Sequence, residues 1–155
     1  MSAATETATR YEGTFGGRPD QVRRGREEVA AHLAGFPARD DAVLIASELL
    51  SNAVLHSRSG RGGSLILRCE RHACHVVIEV EDQGGPWRDR PHDGRAHGLD
   101  IVEALAGLGN WGVRRTGGGT RITWARLGLV AGTACPLPHC PGAPGCGHRE
   151  ATGDR

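Results

Sequence analysis

The sequence predicts an α+β fold: a two-layer sandwich with helices packed on one face of a mainly antiparallel sheet. Three observations carry this. The strand-like runs come in pairs joined by short links, Arg71-Ala73 in one case and Gly117-Gly119 in the other. The helical patterns are grouped between these pairs rather than alternating with single strands. The resulting order is β-α-α-β-β-loop-α-β-β.

Each element has a local reason. Residues 1–9 are small and polar at their start and are expected to form a flexible N-terminus. Arg10–Phe15 reads as a short strand. Pro19 opens a helix with Asp20 near its start; Val22, Val29, Ala30 and Leu33 share a face, and Gly35 ends the pattern. Pro37 restarts the chain, and Asp40 and Asp41 suit the positive end of a second helix reaching about Ser57. Ser57–Gly63 reads as a loop. Ser64–Glu70 and Cys74–Glu81 follow as strands, the second rich in β-branched residues. Gln83–His97 has no periodicity and several Gly and Pro, so it reads as a long functional loop. Gly98–Ala106 returns to helical spacing. Gly109–Arg115 and Thr120–Leu127 form the last strand pair, and from Gly128 the composition turns to Gly, Pro and Cys.

The totals exclude some classes. The chain has 155 residues, enough for one core. Its net charge of +1 gives no global attraction to nucleic acid, so no direct nucleic-acid partner is expected. The sequence contains no long apolar run and no signal-peptide pattern, which suggests a cytoplasmic protein without a membrane partner. All 19 basic residues are Arg. Without Lys there is no P-loop and no Schiff-base chemistry. Phosphate must be held by backbone amides, Arg or a metal.

Four stretches carry candidate chemistry. In "ELLSNAVLH", Glu48, Asn52 and His56 recur every four residues, each about 40° round the helix from the last. The stripe borders the apolar side marked by Ile45, Leu49 and Ala53. A buried Asn amide needs a partner, which a ligand or metal would supply; the plainer reading is that the ends are solvated and Asn52 caps something local. In "DQGG", Asp82 ends a strand and can accept from an exocyclic amine, while Gly84 lets backbone approach a flat ring; an ordinary turn reads the same way. "HGLDIV" places Gly98 at a helix start whose free amides suit phosphate, or merely relieves crowding. "GGGTRI" is a hairpin turn in which Thr120 can bond a purine edge or a nearby carboxylate.

In this order the four stretches resemble the boxes of the ATPase superfamily that includes DNA gyrase, the large heat-shock chaperone and the histidine kinases. The resemblance covers about residues 10–127 and implies an ATP-binding domain there, with a mixed, mainly antiparallel sheet of the Bergerat type. It implies ATP and Mg²⁺ as cofactors. By position, Asn52 would hold Mg²⁺ and Glu48 would be the general base. Asp82 would accept from the adenine amine, with Gly84 permitting ring approach and Thr120 supporting the pocket. Residues 85–97 would form a lid, and His97, Gly98 and Leu99 would join the nucleotide-binding set, the latter two through backbone amides. Ala96 stands where the family often has Gly, which weakens the expected phosphate cradle.

A histidine-bearing helix pair is not expected ahead of the domain, and the chain is similar to free-standing bacterial anti-sigma-factor serine kinases. That likeness implies phosphorylation of a serine or threonine on an antagonist, a sigma factor or its antagonist as partner, and a homodimer through the N-terminal strand edge. A non-catalytic ATP-binding module is the alternative. Residues 128–155 are expected to lie outside the domain. Their Cys135, His139, Cys140, Cys146 and His148 would make a weak zinc or thiol-sensor set, but the spacing matches no zinc signature and zinc is not expected.

Overall fold

The computed structural model of the chain describes residues 8–86 and 98–128. Residues 1–7 of the N-terminus expected to be flexible over 1–9, most of the lid with His97, and the tail with its Cys and His set lie outside the described residues, while Thr9 already belongs to the first strand.

The elements follow the expected order. They are β1 (Thr9–Gly16), α1 (Pro19–His32), α2 (Arg39–His56), β2 (Ser64–Arg71), β3 (His75–Asp82), α3 (Gly98–Ala106), β4 (Trp111–Arg115) and β5 (Arg121–Gly128). Pro19 stands at the start of α1, where its missing N–H costs nothing. Asp40 and Asp41 occupy the first turn of α2, which has no side-chain cap. The Ser57–Gly63 stretch is not wholly irregular: it holds a short 3-10 turn at Arg58–Gly60.

The strands form one sheet in the order β1-β2-β3-β5-β4. Every pairing is antiparallel, so the sheet lies at the antiparallel end of the mixed sheet that was expected. The strand pairs close as hairpins at His72, whose N–H reaches the His75 carbonyl, and at Thr116–Thr120. β5 rather than β4 inserts beside β3, placing Asp82 opposite Arg121.

The helices cover one face. Strand alternation sends Leu65, Leu67, Cys69, Val76, Ile78, Val80, Ala125 and Leu127 into a core shared with Ile45, Leu49, Leu50 and Val102. α2 is buried on two sides, because α1 packs over it where Gly25 leaves room: a Cβ there would come 2.6 Å from Leu50 Cδ1. The second sheet face is laced with ion pairs. Arg68 reaches Glu12 at 2.7 Å and Glu81 at 2.8 Å, and Arg114 reaches Glu79 at 2.7 Å.

Several strand boundaries differ by one residue from the expected ones, and the facing ends of β3 and β5 bear on the site. β3 ends on Asp82, as the acid-before-glycine reading expects, and Asp82 falls in phase with Val76, Ile78 and Val80 on the helix side. β5 begins at Arg121 rather than Thr120, which leaves Thr120 in the turn, and strand alternation turns Arg121 inward with Thr123 and Ala125. In each case the ladder extends as far as a partner strand offers hydrogen bonds, and apolar patterning alone does not mark that limit.

Candidate nucleotide site

One wall of the site is the stripe on α2. Glu48, Asn52 and His56 are each partly buried, beside the fully buried Ile45, Leu49 and Ala53. Helical spacing therefore sets the stripe at the edge of the core. Glu48 faces the start of α3: a Cβ added to Gly98 would stand 2.5 Å from Glu48 Oε2. Gly98 is thus the residue that lets the first turn of α3, whose amides have no partner within the helix, approach the Glu48 carboxylate. Leu99 anchors that turn by packing against the core. One turn along α2, Asn52 Nδ2 is buried with no hydrogen-bond partner. A buried amide left unpaired costs about 1–3 kcal/mol, which a ligand at this point would recover.

The other end is built by β3 and β5. Asp82 and Arg121 are each 1% exposed. Arg121 donates from Nε and Nη2 to Asp82 Oδ2, at 3.0 and 2.9 Å. Nη2 also donates to the His56 carbonyl at 3.2 Å, tying the end of α2 to the sheet. Asp82 Oδ1 accepts the Gly84 N–H at 2.7 Å. Burial pushes the Asp82 carboxyl above its ordinary value; the Gly84 amide and the Arg121 guanidinium oppose that shift without cancelling it.

Gly84 has a φ of +69°, and a Cβ there would come 2.5 Å from the Gly119 carbonyl. The two glycine turns therefore meet, as close backbone approach requires. Thr120 does not face Asp82. Its hydroxyl donates to Glu81 Oε1 at 2.7 Å on the opposite sheet face and is left to accept from Thr116, also at 2.7 Å. These bonds, with Arg68, hold the Glu81 carboxyl below its ordinary value. Of the two partners weighed for Thr120, the carboxylate is the one it has.

The loop after α2 locks these parts together. Ser59 is fully buried; its hydroxyl donates to the Ser64 carbonyl at 2.6 Å and accepts the Gln83 N–H at 3.0 Å. The Arg58 N–H reaches the Gly84 carbonyl at 2.8 Å. Between this loop and the glycine turn lies a cleft of about 190 Å³, lined by His56, Arg58, Arg61, Gly85 and Pro86 among others.

The structure thus brings Glu48 to Gly98, Asp82 to Gly84, and both glycine turns together. Sequence reasoning missed Arg121 and Ser59. Arg121 was detectable: it alternates in phase with Thr123, Ala125 and Leu127, so an inward charge needed an inward acid. Ser59 gave no signal beyond a loop serine.

Among the described residues no group of three His, Cys, Asp or Glu is placed to hold a metal, and no helix is long and apolar enough to cross a membrane. The orphaned Asn52 Nδ2 is a donor and suits an acceptor such as a phosphate oxygen; a Mg²⁺ ion, as the resemblance implies, would be held by the carbonyl oxygen of the same amide.

Fold and site together define an α+β ligand-binding domain whose central helix faces a glycine-opened helix start. Compared with known families, residues 15–123 match the histidine kinase-like ATPase domain, and the chain belongs to that family. Comparison with curated proteins gave no match. Family membership implies ATP as the ligand.

Proposed function

We propose that the protein is an ATP-binding regulator of the anti-sigma-factor type, which uses Mg-ATP to phosphorylate a serine or threonine of an antagonist protein. The observation that carries this reading is the meeting of Glu48 with Gly98, one helical turn from the orphaned Asn52 amide. A carboxylate, an anion-accepting helix start and an unsatisfied amide serve phosphoryl transfer by positioning. Asn52 would hold Mg²⁺, which neutralises phosphate charge when bound. The amides at Gly98 and Leu99 hold phosphate oxygens. Glu48 takes the proton from the acceptor hydroxyl. The reading extends to residues 10–127 as the working domain, with a cytoplasmic location.

Calorimetry with Mg-ATP tests the binding step: wild type binds, and Asn52→Ala loses at least about tenfold in affinity, or 1.4 kcal/mol. No binding by wild type, or unchanged binding in Asn52→Ala, sinks the proposal. Transfer of labelled phosphate to a candidate antagonist tests the chemistry, with Glu48→Ala as the dead control. Transfer that survives Glu48→Ala removes the base.

β1 forms one end of the sheet, paired with β2 on a single side among the described residues. That open edge supports a homodimer, and a monomer by sedimentation at working concentration would exclude it. The non-catalytic module keeps one observation in its favour: Asp82 is closed off by Arg121 before any ligand arrives.

A further inference from the structure

We propose that the cleft between the loop after α2 and the glycine turn docks an acidic peptide segment of a partner protein, with Arg58 and Arg61 as the pair that binds its carboxylate. This docking site lies beyond the nucleotide reading and stands without it.

Two cations share one cleft. Arg58 opens the 3-10 turn at Arg58–Gly60, and the Arg61 N–H closes it on the Arg58 carbonyl at 3.0 Å. Side chains three positions apart in such a turn eclipse one another, so both guanidiniums leave from the same side. Both residues are exposed, and both line the cleft. Among the described residues neither makes an ion pair, and the lining holds no Asp or Glu. Like charges held side by side repel; a carboxylate between them relieves that repulsion and accepts from both. The turn itself is anchored. Ser59 is fully buried, Gly60 has no room for a side chain beside the Val54 carbonyl, and the Arg58 N–H is bonded to the Gly84 carbonyl at 2.8 Å. Gly85 makes space for the Arg58 side chain, since a Cβ there would stand 3.4 Å from Arg58 Cγ. The backbone that carries the pair is therefore set before a ligand arrives, which lowers the cost of binding.

Size and lining select a peptide. The cleft's volume of about 190 Å³ lies below the roughly 300–1,000 Å³ of sites that enclose small molecules, so it suits a side chain or two rather than a nucleotide. Glu48, Asn52, Gly98 and Leu99, the groups at the phosphate end, do not line it. Leu55, 63% exposed, and Pro86 add an apolar wall beside the cations. A carboxylate next to an apolar side chain matches both features, whereas a free phosphate leaves the wall unused.

The test is fluorescence anisotropy of the full chain with a labelled hexapeptide of alternating Glu and Leu. Wild type is expected to bind it at least about tenfold more tightly than the same peptide with Gln for Glu, and more weakly as salt rises. The double variant Arg58→Gln/Arg61→Gln is expected to keep its thermal midpoint and to lose at least about tenfold in affinity for the acidic peptide. No binding of the acidic peptide, equal binding of the two peptides, or a folded double variant that binds like wild type overturns the proposal. Displacement of the peptide by an equal concentration of inorganic phosphate also overturns it, as it would make the cleft a phosphate site. So does loss of Mg-ATP binding in the double variant, which would assign the two cations to the nucleotide. If the double variant does not fold, the two peptides on wild type decide alone. Failure of wild type to bind Mg-ATP removes only the nucleotide reading.

Discussion

Arg121 and Asp82 form a buried ion pair across β3 and β5, with two guanidinium donors on one carboxylate oxygen at 2.9 and 3.0 Å. A third contact, from Arg121 to the His56 carbonyl, joins the pair to the end of α2. Two charges taken out of water hold their place only while each keeps the other. Arg121→Met or Asp82→Asn alone is therefore expected to destabilise the fold by about 3–5 kcal/mol. The double variant removes both charges and should recover a large part of that loss. Urea unfolding of the three variants measures the coupling, and additive losses would show that the pair does not act as a unit.

Gly84 is held at a φ of +69°, with the Gly119 carbonyl where its Cβ would be. Gly84→Ala meets both a left-handed backbone penalty of about 1–2 kcal/mol and a clash with backbone. Its urea midpoint should fall clearly below wild type. An unchanged midpoint would mean the two turns do not meet in solution.

Gly98→Ala should behave differently. Its new methyl meets the far end of the Glu48 side chain, which can swing aside. Alanine is also the better helix former, by about 1 kcal/mol. Stability should hold, while Mg-ATP affinity drops at least about tenfold as the approach to the helix start closes. Paired thermal melts and calorimetry separate the two effects.

Glu81 links stability to acid pH. Its carboxyl is held below its ordinary value of 4.5 by the Thr120 hydroxyl first and by Arg68 next. A depressed carboxyl stabilises the fold above its unfolded value, and that contribution is lost as pH falls through the folded value. Wild type should lose stability on acidification from about pH 5 downward, and Glu81→Gln should show a shallower slope there. Equal slopes would remove Glu81 from the acid transition.

Cys69 is buried in β2, and burial pushes its thiol up to about 12. It should stay unmodified by iodoacetamide at pH 8 in the native state and react on unfolding. Peptide mapping reads this directly, since rapid native labelling at Cys69 would contradict its burial.

Much of the fold was legible because local rules agreed with the tertiary answer. Pro19 with Asp20, Asp40 with Asp41, and the β-branched run ending at Asp82 each marked an element that is present. The α2 stripe was legible for the same reason: four-residue spacing next to an apolar face has one geometric outcome. The site was less so. The alternation that turns Arg121 inward also turns Thr120 outward, but which residues of β3 stand opposite them depends on strand order and register.

By itself, the sequence determined the element order, the segregation of helices to one side, and the placing of Glu48, Asn52 and His56 at a core boundary. These follow from period and composition over neighbouring residues. Only the tertiary structure decided that β5 inserts beside β3, that Gly98 meets Glu48, and that Asp82 is held by Arg121 instead of standing open. Those are contacts between residues far apart in the chain: 39 positions separate Asp82 from Arg121. Their pairing depends on strand order and register, which no local pattern encodes.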